Sequence, residues 1–280
     1  MGTLYLVATP IGNLEDITLR ALRTLRGVAL IAAEDTRVTR QLLRHYQIET
    51  PLTSYHEHNK LSKLPELLDR LRVGDLALVS DAGMPGLSDP GYELVKASVD
   101  QGVKVVPVPG ASAVISALVT SGLPTDGFVY LGFLPRRSGD RRRLLESLAD
   151  ERRTLVAYEA PHRLLRALET VGATLGQRSV AVARELTKLH EQVVRGTPSE
   201  LGAHFAKRPP KGEITLVISG APPAKPEPWD DMAVRSAVAQ RIRAGDTPAA
   251  AAKAVTKMAA RPRSEVYQMA VEVASGNPSS

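Results

Sequence analysis

Ser80–Gly91 reads S-D-A-G-M-P-G-L-S-D-P-G. It lies between a strand-like run, Asp75–Val79, and a helix-like run, Tyr92–Gln101. Three glycines (Gly83, Gly86, Gly91) and two prolines (Pro85, Pro90) within twelve residues make a tightly turned loop whose backbone can approach a ligand closely. Most connections are only about 2–6 residues long, so a loop this long and constrained points to binding rather than plain connection. Its place at the carboxyl end of a strand in an α/β pattern is where open sheets take ligands.

Working outward, strand-like and helix-like runs alternate, which predicts an α/β fold. Thr3–Ala8 reads as a buried first strand, followed by the loop Thr9–Asp16 and a helix carrying Leu19, Leu22 and Leu25. Val28–Ala33 is a second strand, ending at Glu34-Asp35-Thr36-Arg37. Leu61, Leu64, Leu68 and Leu71 then trace one helix face that Gly74 stops. After Asp75–Val79 come a strand over Val103–Val108 and a helix that begins after Pro109-Gly110-Ala111-Ser112. A second set of strands is predicted at Phe128–Gly132, Thr154–Tyr158, Ser179–Ala183, Gln192–Arg195 and Glu213–Ile218, with helices over Arg141–Leu148, His162–Val171 and Ser199–Phe205. The expected organisation is an N-terminal α/β domain over 1–122, a second α/β domain over 123–219, a proline-rich linker over 220–229 and a helical appendage over 230–276. The appendage reads as three helices, and Asn277–Ser280 as a frayed tail.

The chain has 280 residues, long enough for two domains, and no cysteine, which excludes disulfides and thiolate metal sites. No run of about 18 apolar residues suggests a membrane helix. The expectation is therefore a soluble, cytoplasmic protein that binds no membrane. A net charge of +6 hints at a polyanionic partner, while one Trp and three Phe argue against broad stacking on single-stranded bases.

If the first strands are parallel, the loops Thr9–Asn13, Ser80–Gly91 and Pro107–Ser112 share one edge and outline one crevice. Tyr158-Glu159-Ala160-Pro161 and Arg184-Glu185-Leu186 are candidates to face it from the second domain. Neither G-x-G-x-x-G after the first strand nor G-x-x-x-x-G-K-[ST] occurs, so dinucleotide and P-loop schemes are unsupported. His56-Glu57-His58 places two imidazoles two residues apart without a third ligand, so no metal is expected. Arg136, Arg137, Arg141, Arg142 and Arg143 are candidates to grip phosphates, or else a solvated helix surface. Arg241, Arg243, Lys253, Lys257, Arg261 and Arg263 either extend that footprint or coat the appendage.

The Ser80–Gly91 loop closely resembles the signature of the small-subunit rRNA methyltransferase I family, within the tetrapyrrole methylase superfamily. L-Y-L-V-A-T-P-I-G-N-L-E-D-I-T at Leu4–Thr18, A-E-D-T-R at Ala33–Arg37, V-P-G-A-S-A at Val108–Ala113 and Y-E-A-P-H-R at Tyr158–Arg163 are similar to its other motifs. So are A-R-E-L-T-K at Ala183–Lys188 and G-E-I-T-L-V-I at Gly212–Ile218. The resemblance spans about residues 1–219. It implies a two-domain tetrapyrrole-methylase-like α/β fold with a small C-terminal helical appendage, binding S-adenosyl-L-methionine between the domains, usually as a homodimer. It also implies 2′-O-methylation of a cytidine ribose near the decoding centre of 16S rRNA, with free rRNA or the small ribosomal subunit as partner.

Carried onto this sequence, the implied cofactor contacts are Pro10, Asp81, Gly83, Met84, Ser88, Ser112, Ala113, Ala160, Leu186 and Ile214. Glu159 and Glu185 are the candidates to accept the hydroxyl proton or order the cofactor; the other reading is that they cap helices or pair with Arg163 and Arg184. Arg37, with Asp35, either orients substrate or forms a local pair at a helix start. Lys60, with His56, His58 and Asn59, either meets substrate or belongs to an ordinary surface loop. A tetrapyrrole methyltransferase and a non-catalytic RNA-binding protein of the same fold remain the alternatives.

Overall fold

A computed structural model describes residues 1–223 and 228–275. The proline-rich stretch expected as a linker falls partly outside the described residues, as does the tail over 277–280 wholly. Residues up to 221 form one compact unit and those from 222 onward a second.

The first unit opens with β1 (Thr3–Val7), α1 (Leu19–Gly27), β2 (Leu30–Ala33), α2 (Thr36–His45), β3 (Leu52–Ser54), α3 (Lys60–Val73), β4 (Leu76–Val79), α4 (Tyr92–Asp100) and β5 (Lys104–Val108). The five strands make one sheet in the order β3-β2-β4-β1-β5, every pair parallel. Both faces are covered, so the strands read as unbroken apolar runs. Ala77 and Val79 of β4 join Leu22 and Leu25 of α1 and Leu43 of α2 on one face, while Leu76 and Leu78 join Leu67 and Leu71 of α3 and Leu94 of α4 on the other. The sequence reading passed from the second strand straight to the helix at Leu61 and so missed α2 and β3. The cause is physical: α2 buries only Thr39, Leu42 and Leu43 among arginines, and β3 is three half-buried residues at the sheet edge.

α5 (Ala113–Thr120) leads into β6 (Phe128–Phe133), α6 (Ser138–Glu146), β7 (Thr154–Glu159), α7 (Leu164–Leu175), β8 (Val180–Arg184), β9 (Gln192–Gly196), α8 (Pro198–Lys207) and β10 (Ile214–Ile218). These strands form a second sheet, β6-β7-β10-β8-β9, mixed in direction: β6 and β7 run parallel and every other pair antiparallel. α6, α7 and α8 cover one face through Leu145, Leu168, Val171 and Phe205. α5 covers the other, setting Val114, Ala117 and Leu118 on Val156, Ala181, Ala183 and Val217. The second unit packs α9 (Asp231–Arg243), α10 (Pro248–Ala259) and α11 (Arg263–Ser275) around Val238, Val255 and Val266, with Asp230 and Thr247 capping α9 and α10.

Arg141 corrects an expectation. It is 3% exposed, and its guanidinium donates to Thr170 Oγ1 (3.0 Å) and to the carbonyls of Pro135 and Arg166 (3.4 Å each), so it ties α6 to α7 and offers nothing to a phosphate. Arg142 on the same helix is exposed and paired with Glu146. Arg141→Ala should cost about 2–3 kcal/mol in urea unfolding, through lost bonds and a cavity, whereas Arg142→Ala should stay within about 0.5 kcal/mol.

Candidate active site

Because the first sheet is wholly parallel, the loops after β1, β2 and β4 emerge from one edge, with β4 between the other two. The backbone then stitches them together. Thr9 and Gly83 exchange both main-chain hydrogen bonds (2.9 and 3.0 Å), and the Thr9 hydroxyl donates to the Ser80 carbonyl (3.1 Å). The Asp35 N–H donates to Asp81 Oδ1 (3.0 Å) and the Asp81 N–H to Glu34 Oε2 (3.3 Å). From the second sheet, β10 runs between β7 and β8 with Ile214 opposite both Glu159 and Arg184, so the Glu159 and Glu185 corners flank the start of β10.

Between these walls lies a cavity of about 450 Å³. Asp81, Gly83, Met84, Ser88, Ser112, Ala113, Ala160, Leu186 and Ile214 line it, as do Glu159 and Glu185. Pro10 lines an adjoining cavity of about 340 Å³ that shares Ile11, Asp81, Ala82, Lys188 and Glu213 with the first.

Glu159 is fully buried, its Oε1 accepting from the Ala160 N–H (2.7 Å) and pairing with Arg163 Nη2. Its Oε2, and Arg163 Nε and Nη1, are buried without a partner. A buried polar atom left so costs about 1–3 kcal/mol, a cost that a ligand's polar groups could relieve. Glu185 sits in the left-handed region (φ 51°) and takes a bond from Lys188 Nζ (3.0 Å). Its carboxylate lies over Gly212, where an added Cβ would fall 1.7 Å from Oε1. Ser88 (φ 63°) and Thr187 (φ 67°) are left-handed as well, and such backbone costs about 1–3 kcal/mol per residue and gathers at functional sites.

Sequence reasoning assigned no role to the strongest electrostatic feature. Asp89 and Glu34 line the cavity with Asp81 and Glu213. Burial, then the Glu34 charge, pushes Asp89 up to about 7, against the weaker pull of the Ser80 hydroxyl. Burial also raises Glu34. Asp89 stood in the opening loop and Glu34 at a strand end, but nothing in either motif reveals that four carboxylates converge. Tyr130 and Phe133 were missed too, and Tyr158, expected to face the crevice, was given no role of its own. Tyr158 packs edge-on against Tyr130 (5.5 Å between centroids), whose hydroxyl lies 2.7 Å from Ser88 Oγ, and burial raises both phenols.

The tetrapyrrole (corrin/porphyrin) methylase family matches residues 3–202. Over 275 residues the chain is 50% identical to the ribosomal RNA small subunit methyltransferase I of Synechocystis, covering 98% of this chain and 99% of that protein. The chain belongs to the ribosomal RNA small subunit methyltransferase I family. The family's Bacillus subtilis member is 45% identical over 95% of this chain and 93% of its own length. The Thermotoga maritima member is 52% identical over 79% of this chain and 99% of its own length. Uroporphyrin-III C-methyltransferase from Thermus thermophilus shares the fold at 20% identity (TM-score 0.55; 78% of this chain, 94% of that one). Diphthine synthase shares it at 13% identity (TM-score 0.61; 96% of this chain, all of that one).

In this family member the basic side chains expected to meet RNA lie outside the cavity lining, and several are already engaged. Lys60 is wedged between Glu57 (2.8 Å) and Glu93 (2.6 Å), which removes it as a free cation. Arg37 is exposed but bound in a fork to Asp35, the N-cap of α2, as the local-pair reading had it. Arg143 pairs with Asp140, and in the second unit Arg261 is held by Asp231 and Glu265. Arg136 and Arg137 are exposed and enter no ion pair found among the described residues. His56 and His58 have ring centroids 6.0 Å apart, and no group of three or more potential metal ligands comes together among the described residues. Nor is any described helix long and apolar enough to cross a membrane.

A carboxyl whose folded pKa exceeds its unfolded value holds its proton more tightly when folded, so its contribution to stability falls as pH rises between the two values. Asp89, at about 7 against an ordinary 3.8, should therefore weaken the fold up to about pH 7 and no further. Asp89→Asn should gain stability over the native chain between pH 5 and pH 7 and level off above. After allowance for solvent screening the gain should reach about 1–2 kcal/mol by urea unfolding.

Proposed function

We propose that this methyltransferase uses S-adenosylmethionine to methylate the ribose 2′-hydroxyl of a cytidine near the decoding centre of 16S rRNA. The observation that carries the reading is the cavity itself: about 450 Å³, walled by apolar side chains and the carboxylates Glu34, Asp81, Asp89 and Glu213. That size lies within the roughly 300–1,000 Å³ of small-molecule sites, and a carboxylate wall suits a ligand that carries a sulfonium charge. Unpartnered Glu159 Oε2 and left-handed Ser88 and Glu185 mark the same walls as prepared for an occupant. Asp81, Gly83, Met84, Ser88, Ser112, Ala113, Ala160, Leu186 and Ile214 would hold the cofactor, with Pro10 at the adjoining cavity. The Synechocystis and Bacillus relatives, named for small-subunit rRNA methylation, support RNA as the acceptor.

When bound, the cofactor supplies an electrophilic methyl on a positively charged sulfur. The protein's part is to fix the acceptor, exclude water and take the hydroxyl proton. Positioning alone is worth up to about 7–11 kcal/mol of barrier. Asp89 is the carboxylate suited to the proton, since a base titrating near 7 is both available and strong enough at neutral pH. Glu159 and Glu185, the candidates from sequence, are occupied by Arg163 and Lys188 and serve better to shape the wall. Arg136 and Arg137 remain to meet phosphate, each able to make bidentate contacts. The reading includes a homodimer, which sedimentation equilibrium decides.

Incubation with methyl-labelled S-adenosylmethionine and small ribosomal subunits, free 16S rRNA or a tetrapyrrole precursor tests the reading. Label should appear on a cytidine ribose after nuclease digestion and mass analysis; label on the tetrapyrrole alone, or on a base, would overturn it. Asp81→Ala should weaken cofactor binding by about tenfold in calorimetry, the loss expected for one charged contact of about 1.4 kcal/mol. Asp89→Asn should lower kcat by roughly 10²-fold or more. The native rate should fall as pH drops below about 7, because the base must be ionised to act.

A further inference from the structure

Phe133 is 57% exposed, and it lines the cavity at that exposure. Only three phenylalanines occur in the chain, and Phe205 is fully buried. The strand that carries Phe133 is distorted to place it. β6 pairs with β7 as Tyr130 opposite Val156, then Phe133 opposite Tyr158, so three steps on β6 match two on β7. The extra residue is a bulge, and Gly132 within it takes φ +66°, a conformation that a glycine adopts without strain. In a regular strand, residues three apart point to opposite faces. Here Tyr130 and Phe133 both pack on the Tyr158 ring, at 5.5 and 5.3 Å between centroids. The bulge thus swings Phe133 onto the cavity side and sets it on an aromatic stack. That stack is anchored through Tyr130 to Ser88 of the opposite wall.

Leu87, beside Ser88, is 42% exposed and lines the same cavity, held out between left-handed Gly86 and Ser88. Both walls therefore present an apolar surface at the opening. Three and four residues beyond Phe133, Arg136 and Arg137 are exposed and engaged in no ion pair found among the described residues. A flat apolar face beside free guanidinium groups complements a nucleotide, which joins a π-face to an anionic phosphate. Enzymes that act on one nucleotide of a folded RNA gain by splaying its base out onto such a face.

We propose that Phe133, with Leu87 at the same opening, is the platform on which the base of the target nucleotide, or its immediate neighbour, stacks while Arg136 and Arg137 hold flanking phosphates. The inference rests on the reading of RNA as the methyl acceptor. Phe133 is a positioning residue in this scheme and exchanges no proton or methyl group.

Steady-state methylation of 16S rRNA with Phe133→Ala, Phe133→Leu and Phe133→Tyr tests it, beside cofactor calorimetry without RNA. Phe133→Ala and Phe133→Leu should raise KM for RNA about tenfold or more, the usual loss when a stacking ring is removed. Phe133→Tyr should stay near native, and cofactor affinity should be unchanged in all three. A Phe133→Trp variant adds a readout independent of turnover: after subtraction of the Trp229 signal, its indole should be quenched by RNA and untouched by cofactor alone. Native KM in Phe133→Ala, full activity in Phe133→Leu, or quenching by cofactor alone would overturn the platform; the last result would assign the ring to the cofactor's adenine. A native enzyme that methylates only a tetrapyrrole is a distinct result, which removes the RNA reading and this inference with it.

Discussion

The apolar contact between α5 and the second sheet is the constraint on which the site depends. α5 follows directly from β5 of the first sheet, yet its inner face, Val114, Ala117 and Leu118, is spent on Val156, Ala181, Ala183 and Val217 of the second. Four small or branched residues on one sheet face leave room for a helix to lie close, and dense apolar packing of this kind resists sliding. Ile11, from the loop after β1, and Leu186, from the corner after β8, complete the same cluster. Both also line the cavity. The wall from one sheet and the wall from the other are thus fixed relative to each other by a core that reaches the edge of the space between them.

Given that frame, the loops can carry cost. Left-handed Ser88 and Glu185, an unpartnered carboxylate oxygen on Glu159 and a carboxyl at Asp89 pushed to about 7 all oppose stability. They persist because neighbouring bonds over-determine them. Thr9 and Gly83 lock two loops by reciprocal backbone bonds, and the Asp81 N–H and carboxylate tie the β4 loop to the β2 loop in both directions. A wall of prepositioned carboxylates need not reorganise when a cation arrives, which is the advantage of building charge into rigid backbone.

Much of this was legible in the sequence, for a reason that can be located. The first strands are covered on both faces and read as continuous apolar runs, so β1, β2, β4 and β5 stood out, and their loops announced themselves by glycine and proline. β3 did not, because an edge strand of three half-buried residues shows no alternation, and α2 was passed over although its apolar stripe is sharply one-sided, because its arginine-rich sequence is polar on average. Side-chain roles were harder. Asp89 is one of several acids in turn-rich sequence, and only the folded chain brings Glu34 near it and withdraws water from both. Phe133 falls just beyond Phe128–Gly132, a run that reads as a plain strand, and the bulge at Gly132 that turns it toward the cavity is invisible to an alternation rule. Arg141 failed for the opposite reason: three arginines in a row look equivalent until the helix rotates one of them inward.

Charge, the cue that first suggested a polyanion, shows how far composition can mislead. The net +6 counts Arg141, buried against carbonyls, and Lys60, Arg143 and Arg261, held by acids, on the same footing as Arg136 and Arg137. What matters for a phosphate is a guanidinium that is exposed and uncommitted, and few of the basic side chains meet both conditions. The cavity itself owes nothing to the helical unit, since every residue lining it lies between Ile11 and Thr215. The lining of the cavity therefore comes wholly from the first 221 residues, and the three helices beyond have to be explained by something other than lining it.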